Sequence, residues 1–279
     1  MTSQMDVLTL KALMDKGAVK VIDGSWALDG TDMRALYEAS HLPGAQFFDL
    51  EAISDHTTPL PHMAPSPEAF AAAVSAMGIA AEDQVVIYDR QGLFSAARVW
   101  WTFRLMGHEN VQVLRGGLPA WQAAGLPLDH GTPEVQPTTY RPQFQPQWVI
   151  DVETVKSKLN APGTALLDAR PKPRFDGLAA EPRPGLRSGH MPGSCNLPFG
   201  LMISDGALKS DDEIRTILKD SGVPDKANII TSCGSGVTAA ILSMALFEIG
   251  RTARLYDGSW AEWGQVGLDT PVVEGHQAT

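Results

Sequence analysis

Short runs of β-branched and aliphatic residues alternate with stretches of helical periodicity along this chain. Val19–Asp23 (VKVID), Val85–Tyr88 (VVIY), Ala165–Asp168 (ALLD) and Asn228–Ser232 (NIITS) have the length and composition of buried strands. Pro67–Met77, Ser95–Met106, Asp211–Ser221 and Thr238–Ile249 carry a helical pattern, and Gly107 and Gly250 stand where the second and fourth would close. The alternation predicts an α/β architecture with mostly parallel sheets flanked by helices, because a parallel crossover needs a helix that covers one face. Ligands in such sheets bind beyond the carboxyl ends of the strands, which directs attention to the segment after Ser232.

The pattern repeats. A strand ending in Asp comes first, at Asp23 and Asp168. A His-x-Pro-Gly turn follows at His41–Gly44 and His190–Gly193. Next come the strands ending at Tyr88 and Ser232, then Gly116–Trp121 (GGLPAW) and Gly258–Trp263 (GSWAEW). The partners lie 145, 149, 144 and 142 residues apart, which fits two duplicated domains with loop insertions and is far too long for a solenoid. The expected division is a first domain over 1–132, a linker over 133–147 rich in Pro, Thr and Gln, and a second domain over 148–279.

Composition narrows the function classes. With 44% apolar and 19% charged residues the chain is an ordinary globular one, and no stretch reaches the ~18 apolar residues that cross a bilayer. A net charge of −10 argues against a general binder of nucleic acid or anionic membrane, both of which demand a basic surface, and leaves room for a local basic pocket for a small anion. Residues 1–10 carry no basic segment followed by an apolar core, so no secretion signal is expected. Two cysteines, Cys195 and Cys233, make neither a disulfide scaffold nor a zinc site. The expected setting is therefore the reducing cytoplasm, with no metal or organic cofactor.

Cys233 opens the segment Cys233-Gly234-Ser235-Gly236-Val237-Thr238, between a strand and a helix. Two glycines in four residues let the backbone turn its N–H groups inward, and successive amides beside a helix N-terminus form an anion nest. A cysteine facing such a nest has its thiolate stabilised, and the thiolate is the nucleophile. Cys195 has no such loop and is expected to be a packed residue. In the first repeat Asp89 falls at the position of Cys233, with Arg90 and Gln91 facing Gly234 and Ser235, so that domain is expected to be catalytically silent and to serve as a wall. Cysteine phosphatases need an arginine six positions after the cysteine; position 239 is Ala, which disfavours phosphate monoester cleavage.

The loop CGSGVTA at 233–239, the HMPG turn at 190–193 and YDGSWAEW at 256–263 resemble the rhodanese superfamily. So do SHLPGAQFFDL at 40–50 and QGLFSAARVWWTFRLMGH at 91–108. The neutral Gly234 and Ser235 match its mercaptopyruvate branch, where the thiosulfate branch typically has Arg and Lys. The resemblance implies two tandem rhodanese-like domains with the active cysteine in the second. It also implies transfer of sulfur from 3-mercaptopyruvate through a Cys233 persulfide to a thiol, a reduced thioredoxin or cyanide.

By the same resemblance Arg174 and Arg183 bind the donor carboxylate, which a guanidinium grips bidentately, with Arg170 and Arg187 nearby. Developing charge is met by the loop at Gly234, Gly236, Val237 and Thr238. A proton relay is implied for Ser235, His62 and an acidic residue that falls on Glu51, where Asp is usual; Asp49 would point the same way from a strand. His41 and His190 are expected to hold turns. The alternatives are a thiosulfate sulfurtransferase of the same fold and a non-catalytic rhodanese module, the latter disfavoured by the intact second loop.

Overall fold

A computed structural model describes residues 2–275. The chain divides into two compact units, and the division is not a single cut. The first unit holds the described residues up to Asp55, Ala64–Gln145 and Ile203–Leu208; the second holds His56–Met63, Pro146–Met202 and the described residues from Lys209 on.

In the first unit β1 (Gln4–Met5), α1 (Val7–Met14), β2 (Lys20–Asp23), α2 (Met33–Ala39) and β3 (Gln46–Phe47) precede α3 (Pro67–Ala76), β4 (Val85–Tyr88), α4 (Ala96–Leu105), β5 (Val111–Leu114) and α5 (Gly117–Ala123). All pairings in its sheet are parallel, in the order β1-β5-β4-β2-β3. The four residues of β4 are buried without alternation, as expected of a central strand covered on both faces. Nine of the ten residues of α4 are buried, including Trp100 and Trp101, so this helix is a core element and not an amphipathic surface one.

The second unit repeats the plan. It contains β6 (Val149–Ile150), α6 (Val152–Lys158), β7 (Thr164–Asp168), α7 (Lys172–Phe175) and β8 (Ser194–Asn196). The hairpin β9 (Ile203–Ser204) and β10 (Ala207–Leu208), which follows in the chain, belongs to the first unit. Then come α8 (Asp211–Asp220), β11 (Asn228–Ser232), α9 (Ala239–Glu248), β12 (Ala253–Tyr256) and α10 (Ser259–Trp263). The sheet order β6-β12-β11-β7-β8, again all parallel, matches the first sheet strand for strand.

Local chemistry sets the ends of these elements. Ser210 and Glu213 form a reciprocal capping box at the start of α8. The helices expected from Ser95 and Thr238 begin one residue later, because both residues are N-caps. Ser95 Oγ accepts the Trp26 amide at 2.9 Å instead of capping its own helix. In the two His-x-Pro-Gly turns, His41 Nδ1 lies 2.9 Å from Tyr37 O and His190 Nδ1 lies 2.9 Å from Phe175 O. Each ring also stacks on the aromatic residue whose carbonyl it meets.

Residues 131–145, most of the expected linker, form no helix or strand and are laid along the first unit. The amides of Gly131, Thr138, Gln143 and Gln145 donate to Glu38, Ser75, Met106 and Leu105 carbonyls at 2.7–2.9 Å. Tyr140 packs edge-on against Phe70 with centroids 5.5 Å apart. The weak periodicity of this stretch reflects an extended segment that bonds through its backbone.

Candidate active site

Parallel packing brings β11 between β7 and β12 and aims its carboxyl end at one edge of the second sheet. Cys233 follows it directly and is buried, 2% exposed. The loop is tied on one side by Trp260 N–H donating to Cys233 O at 3.0 Å and Ala261 N–H donating to Gly234 O at 2.8 Å. Gly236 supplies the left-handed turn, φ 77°, that ends it. The amides of Gly234, Ser235, Val237 and Thr238 donate to no acceptor among the described residues. These four unengaged donors lie in the loop between the buried Cys233 and the start of α9, which is the supply of free N–H groups that an anion cradle needs.

Gly236 departs from the expectation. Its amide and that of Cys233 both donate to Ser259 Oγ, each at 3.2 Å, so neither is open to a ligand. Ser259 is a residue that sequence reasoning missed, although it lies inside a stretch already singled out.

The first repeat holds the same loop in another state. The Asp89 carboxylate accepts the amides of Gln91 at 2.9 Å, Phe94 at 2.6 Å and Ala96 at 2.9 Å. Burial pushes this carboxyl up, against the pull of those amides. Leu118 N–H donates to Asp89 O at 3.0 Å, as Trp260 does to Cys233 O. The acceptor that occupies this loop is therefore the protein's own carboxyl group. Arg90 turns away, its Nη1 donating to Ser40 O at 2.8 Å.

Arg174 reaches the cysteine loop. A Cβ placed on Gly234 would stand 3.1 Å from Arg174 Nη2, so a side chain at 234 would compete with the guanidinium for space. Arg174 is held by Glu181, through Nη2 and through Nε at 3.3 Å. Glu181, 1% exposed, also accepts Arg170 Nη1 at 2.8 Å. Arg170 forks onto Asp168 and lies 4.2 Å over the Trp260 ring. Burial opposes the Arg170 charge, but Asp168 and Glu181 outweigh it and raise its pKa. These two guanidiniums and two carboxylates cancel in charge, which is what makes their burial tolerable.

Arg187 is structural: its Nη1 and Nη2 donate to Thr270 O and Trp263 O at 2.8 Å. Arg183 is half-buried and lines a cavity of about 330 Å³ with Leu60, Pro61, Leu186, Ala261 and Gln265.

His62 lies in the second unit with its Nδ1 2.9 Å from Ser235 Oγ, buried to 2% and at φ 60°. A non-glycine residue held left-handed costs of order 1 kcal/mol or more, and such strain gathers at functional sites. Glu51, in the first unit, accepts the Trp26 indole N–H at 2.8 Å. Asp49 and Glu51 lie outside β3, so the strand geometry expected for Asp49 does not apply. Asp49 instead accepts the Ala52 amide at 3.0 Å and pairs with Arg34 at 3.1 Å.

Cys195 is half-buried with its Sγ 3.3 Å from Ser221 O, and burial pushes its thiol up. Among the described residues, no cluster of three or more His, Cys, Asp or Glu side chains could hold a metal ion, and no helix is long and apolar enough to cross a membrane.

Two copies of the rhodanese-like domain match this chain, over residues 6–124 and 151–265, and the chain belongs to that family. It is 42% identical over 263 residues to the 3-mercaptopyruvate sulfurtransferase of Escherichia coli K12, covering 93% of each chain. The human 3-mercaptopyruvate sulfurtransferase is 40% identical over 88% of this chain and 84% of its own. A mitochondrial thiosulfate/3-mercaptopyruvate sulfurtransferase of Arabidopsis thaliana is 42% identical over 91% of this chain and 74% of its own. Among solved structures, SseA from E. coli, described as having the rhodanese fold, superposes with a TM-score of 0.86 at 39% identity, over 94% of this chain and all of that one.

Proposed function

We propose that this chain takes sulfur from 3-mercaptopyruvate as a persulfide on Cys233, releases pyruvate, and passes the sulfur to a thiol, a reduced thioredoxin or cyanide. One observation carries the reading: a buried cysteine opens a loop in which four amides have no acceptor, and a guanidinium stands 3.1 Å from the Cβ position of the next residue. An α-keto acid thiol has the matching parts, a planar carboxylate for arginine and a sulfur for the cysteine.

The chemistry balances without a cofactor. The Cys233 thiolate attacks the donor sulfur, and an S–S bond forms as the bond from sulfur to C3 breaks. The electron pair stays on the carbon as the enolate of pyruvate, which takes up the proton lost by the donor thiol. Ser235 and His62, in contact through Oγ and Nδ1, are suited to carry that proton. The persulfide anion then lies against the loop amides, whose fixed dipoles favour charge as it develops. An acceptor thiolate or cyanide attacks the outer sulfur and restores the Cys233 thiolate. Arg174, and Arg183 from the nearby cavity wall, bind the donor carboxylate. Two free cysteines suit a reducing compartment such as the cytoplasm.

Mass spectrometry after mixing with 3-mercaptopyruvate tests the reading: the Cys233 peptide gains one sulfur atom and pyruvate appears. An unchanged mass in the wild type, or loading retained by Cys233→Ser, ends it. The Arabidopsis relative's double name keeps thiosulfate in view as a second donor. Comparing kcat/KM for the two donors decides between them, and a large preference for thiosulfate removes mercaptopyruvate from the reading.

A further inference from the structure

Ser259 is the one completely buried residue among four non-glycine residues described at positive φ, with φ 49° and 0% exposure. Its counterpart in the first repeat, 142 positions earlier, is Gly117 at φ 53°. Both repeats thus need a left-handed residue here, so that the next amide can reach the carbonyl of Asp89 or Cys233. Glycine adopts that conformation without penalty, whereas a side chain does not. The first repeat requires glycine outright, since a Cβ at 117 would stand 2.4 Å from Asp89 O. The second repeat accepts the strain and carries a hydroxyl.

That hydroxyl is fully used. Ser259 Oγ donates to Tyr256 O at 2.8 Å, which leaves its lone pairs to the amides of Cys233 and Gly236. Only amides can be the donors in those two contacts, so the direction of each bond is determined. One oxygen therefore joins both ends of the turn that contains Gly234 and Ser235, and it binds the backbone of the reactive residue itself.

We propose that Ser259 is a positioning residue for sulfur transfer. By pinning the amides of Cys233 and Gly236 from behind, its hydroxyl holds the turn so that the cysteine sulfur and its outer sulfur meet the four open amides. It touches no reacting atom. The proposal rests on Cys233 being the sulfur carrier.

Ser259→Gly removes the hydroxyl and also the strain, and Ser259→Ala removes the hydroxyl alone. Single-turnover loading of Cys233 by 3-mercaptopyruvate, followed by mass spectrometry, is expected to slow by on the order of ten- to a hundred-fold in both, the scale that a misplacement of about 1 Å produces. Alkylation of Cys233 by iodoacetamide at fixed neutral pH, measured on its peptide, is expected to slow as well. KM for the donor stays within about two-fold, because Arg174 and Arg183 are untouched. A packing role alone would leave loading and alkylation unchanged in a variant whose circular dichroism is native. That result in either variant overturns the proposal, as does a KM that rises in step with the loss of rate. Alkylation needs no sulfur donor: a wild type that alkylates at Cys233 but is not loaded by 3-mercaptopyruvate refutes the donor assignment, while the Ser259 comparison still stands.

Discussion

Replacing Arg174 by Lys separates geometry from charge at the donor site. Arg174 spends Nε and Nη2 on Glu181, while Nη2 and Nη1 lie 3.1 and 3.9 Å from the Cβ position of Gly234, so the end of the guanidinium borders the loop. A planar fork can satisfy Glu181 and a donor carboxylate together; one ammonium on a flexible stem keeps the charge but not both sets of directions. The expected loss is one charge-assisted hydrogen bond, about 1.5–3 kcal/mol, which corresponds to a rise in KM of roughly 10- to 150-fold. Folding should suffer little, because Glu181 keeps Arg170 at 2.8 Å and the substituted side chain is already 18% exposed. Pyruvate release across a range of 3-mercaptopyruvate concentrations, coupled to a dehydrogenase, gives KM and kcat separately. A KM that does not move refutes the placement of the carboxylate at Arg174. A fall in kcat at constant KM refutes it equally, since it would make the guanidinium a participant in the chemistry.

Gly234→Ala puts a Cβ 3.1 Å from Arg174 Nη2, so the guanidinium must give way by a few tenths of an ångström; KM for the donor should rise by about three- to ten-fold with little change in kcat, measured by the same coupled assay. Asp89→Ala removes the acceptor of three amides in the first repeat and should destabilise by roughly 3 kcal/mol or more, read from urea unfolding; an unchanged midpoint would show that the carboxylate does not hold that loop. His108 is buried between Asp83 O and Tyr140 OH, and burial lowers its pKa. Below about pH 6.5 the unfolded chain therefore binds a proton that the folded one refuses, and stability falls with falling pH. His108→Gln should flatten that slope in unfolding curves taken between pH 7 and 5, and a slope unaltered by the substitution would dismiss the histidine as its source.

What could be read from the chain was what depends on near neighbours. The strand ending at Tyr88 shows its burial as an unbroken apolar run, those ending at Asp23, Asp168 and Ser232 show it as short β-branched or aliphatic runs, and the cysteine loop shows itself by glycine spacing between a strand and a helix. The edge strands Gln4–Met5 and Val149–Ile150 are two residues long, too short for any periodicity to register. Glu181 was visible only as a spacer between two arginines, because its role depends on Arg170 and Arg174 converging from 11 and 7 positions away. Ser259 acts on amides 26 and 23 positions earlier. The membership of His56–Met63 in the second unit, which brings His62 to Ser235 across 173 residues, follows from tertiary packing alone.

The two repeats show why a loop built to receive sulfur needs an outside hold. A turn of inward amides is unstable empty, since each unpaired buried donor carries a desolvation penalty of about 1–3 kcal/mol. In the first repeat the penalty is met from within: Asp89 fills its own cradle and holds the turn together with the bonds that neutralise it. That solution closes the loop to any other anion. In the second repeat the interior must stay open for a sulfur that comes and goes, so the turn cannot be held by whatever occupies it. The hold then has to come from behind, from a group that takes amides the sulfur does not need. Cys233 and Gly236 supply those amides, and Ser259, kept in a conformation that glycine would adopt more easily, supplies the oxygen. The pairing of Asp with Gly in one repeat and of Cys with Ser in the other is, on this reasoning, a single choice between a sealed cradle and a working one.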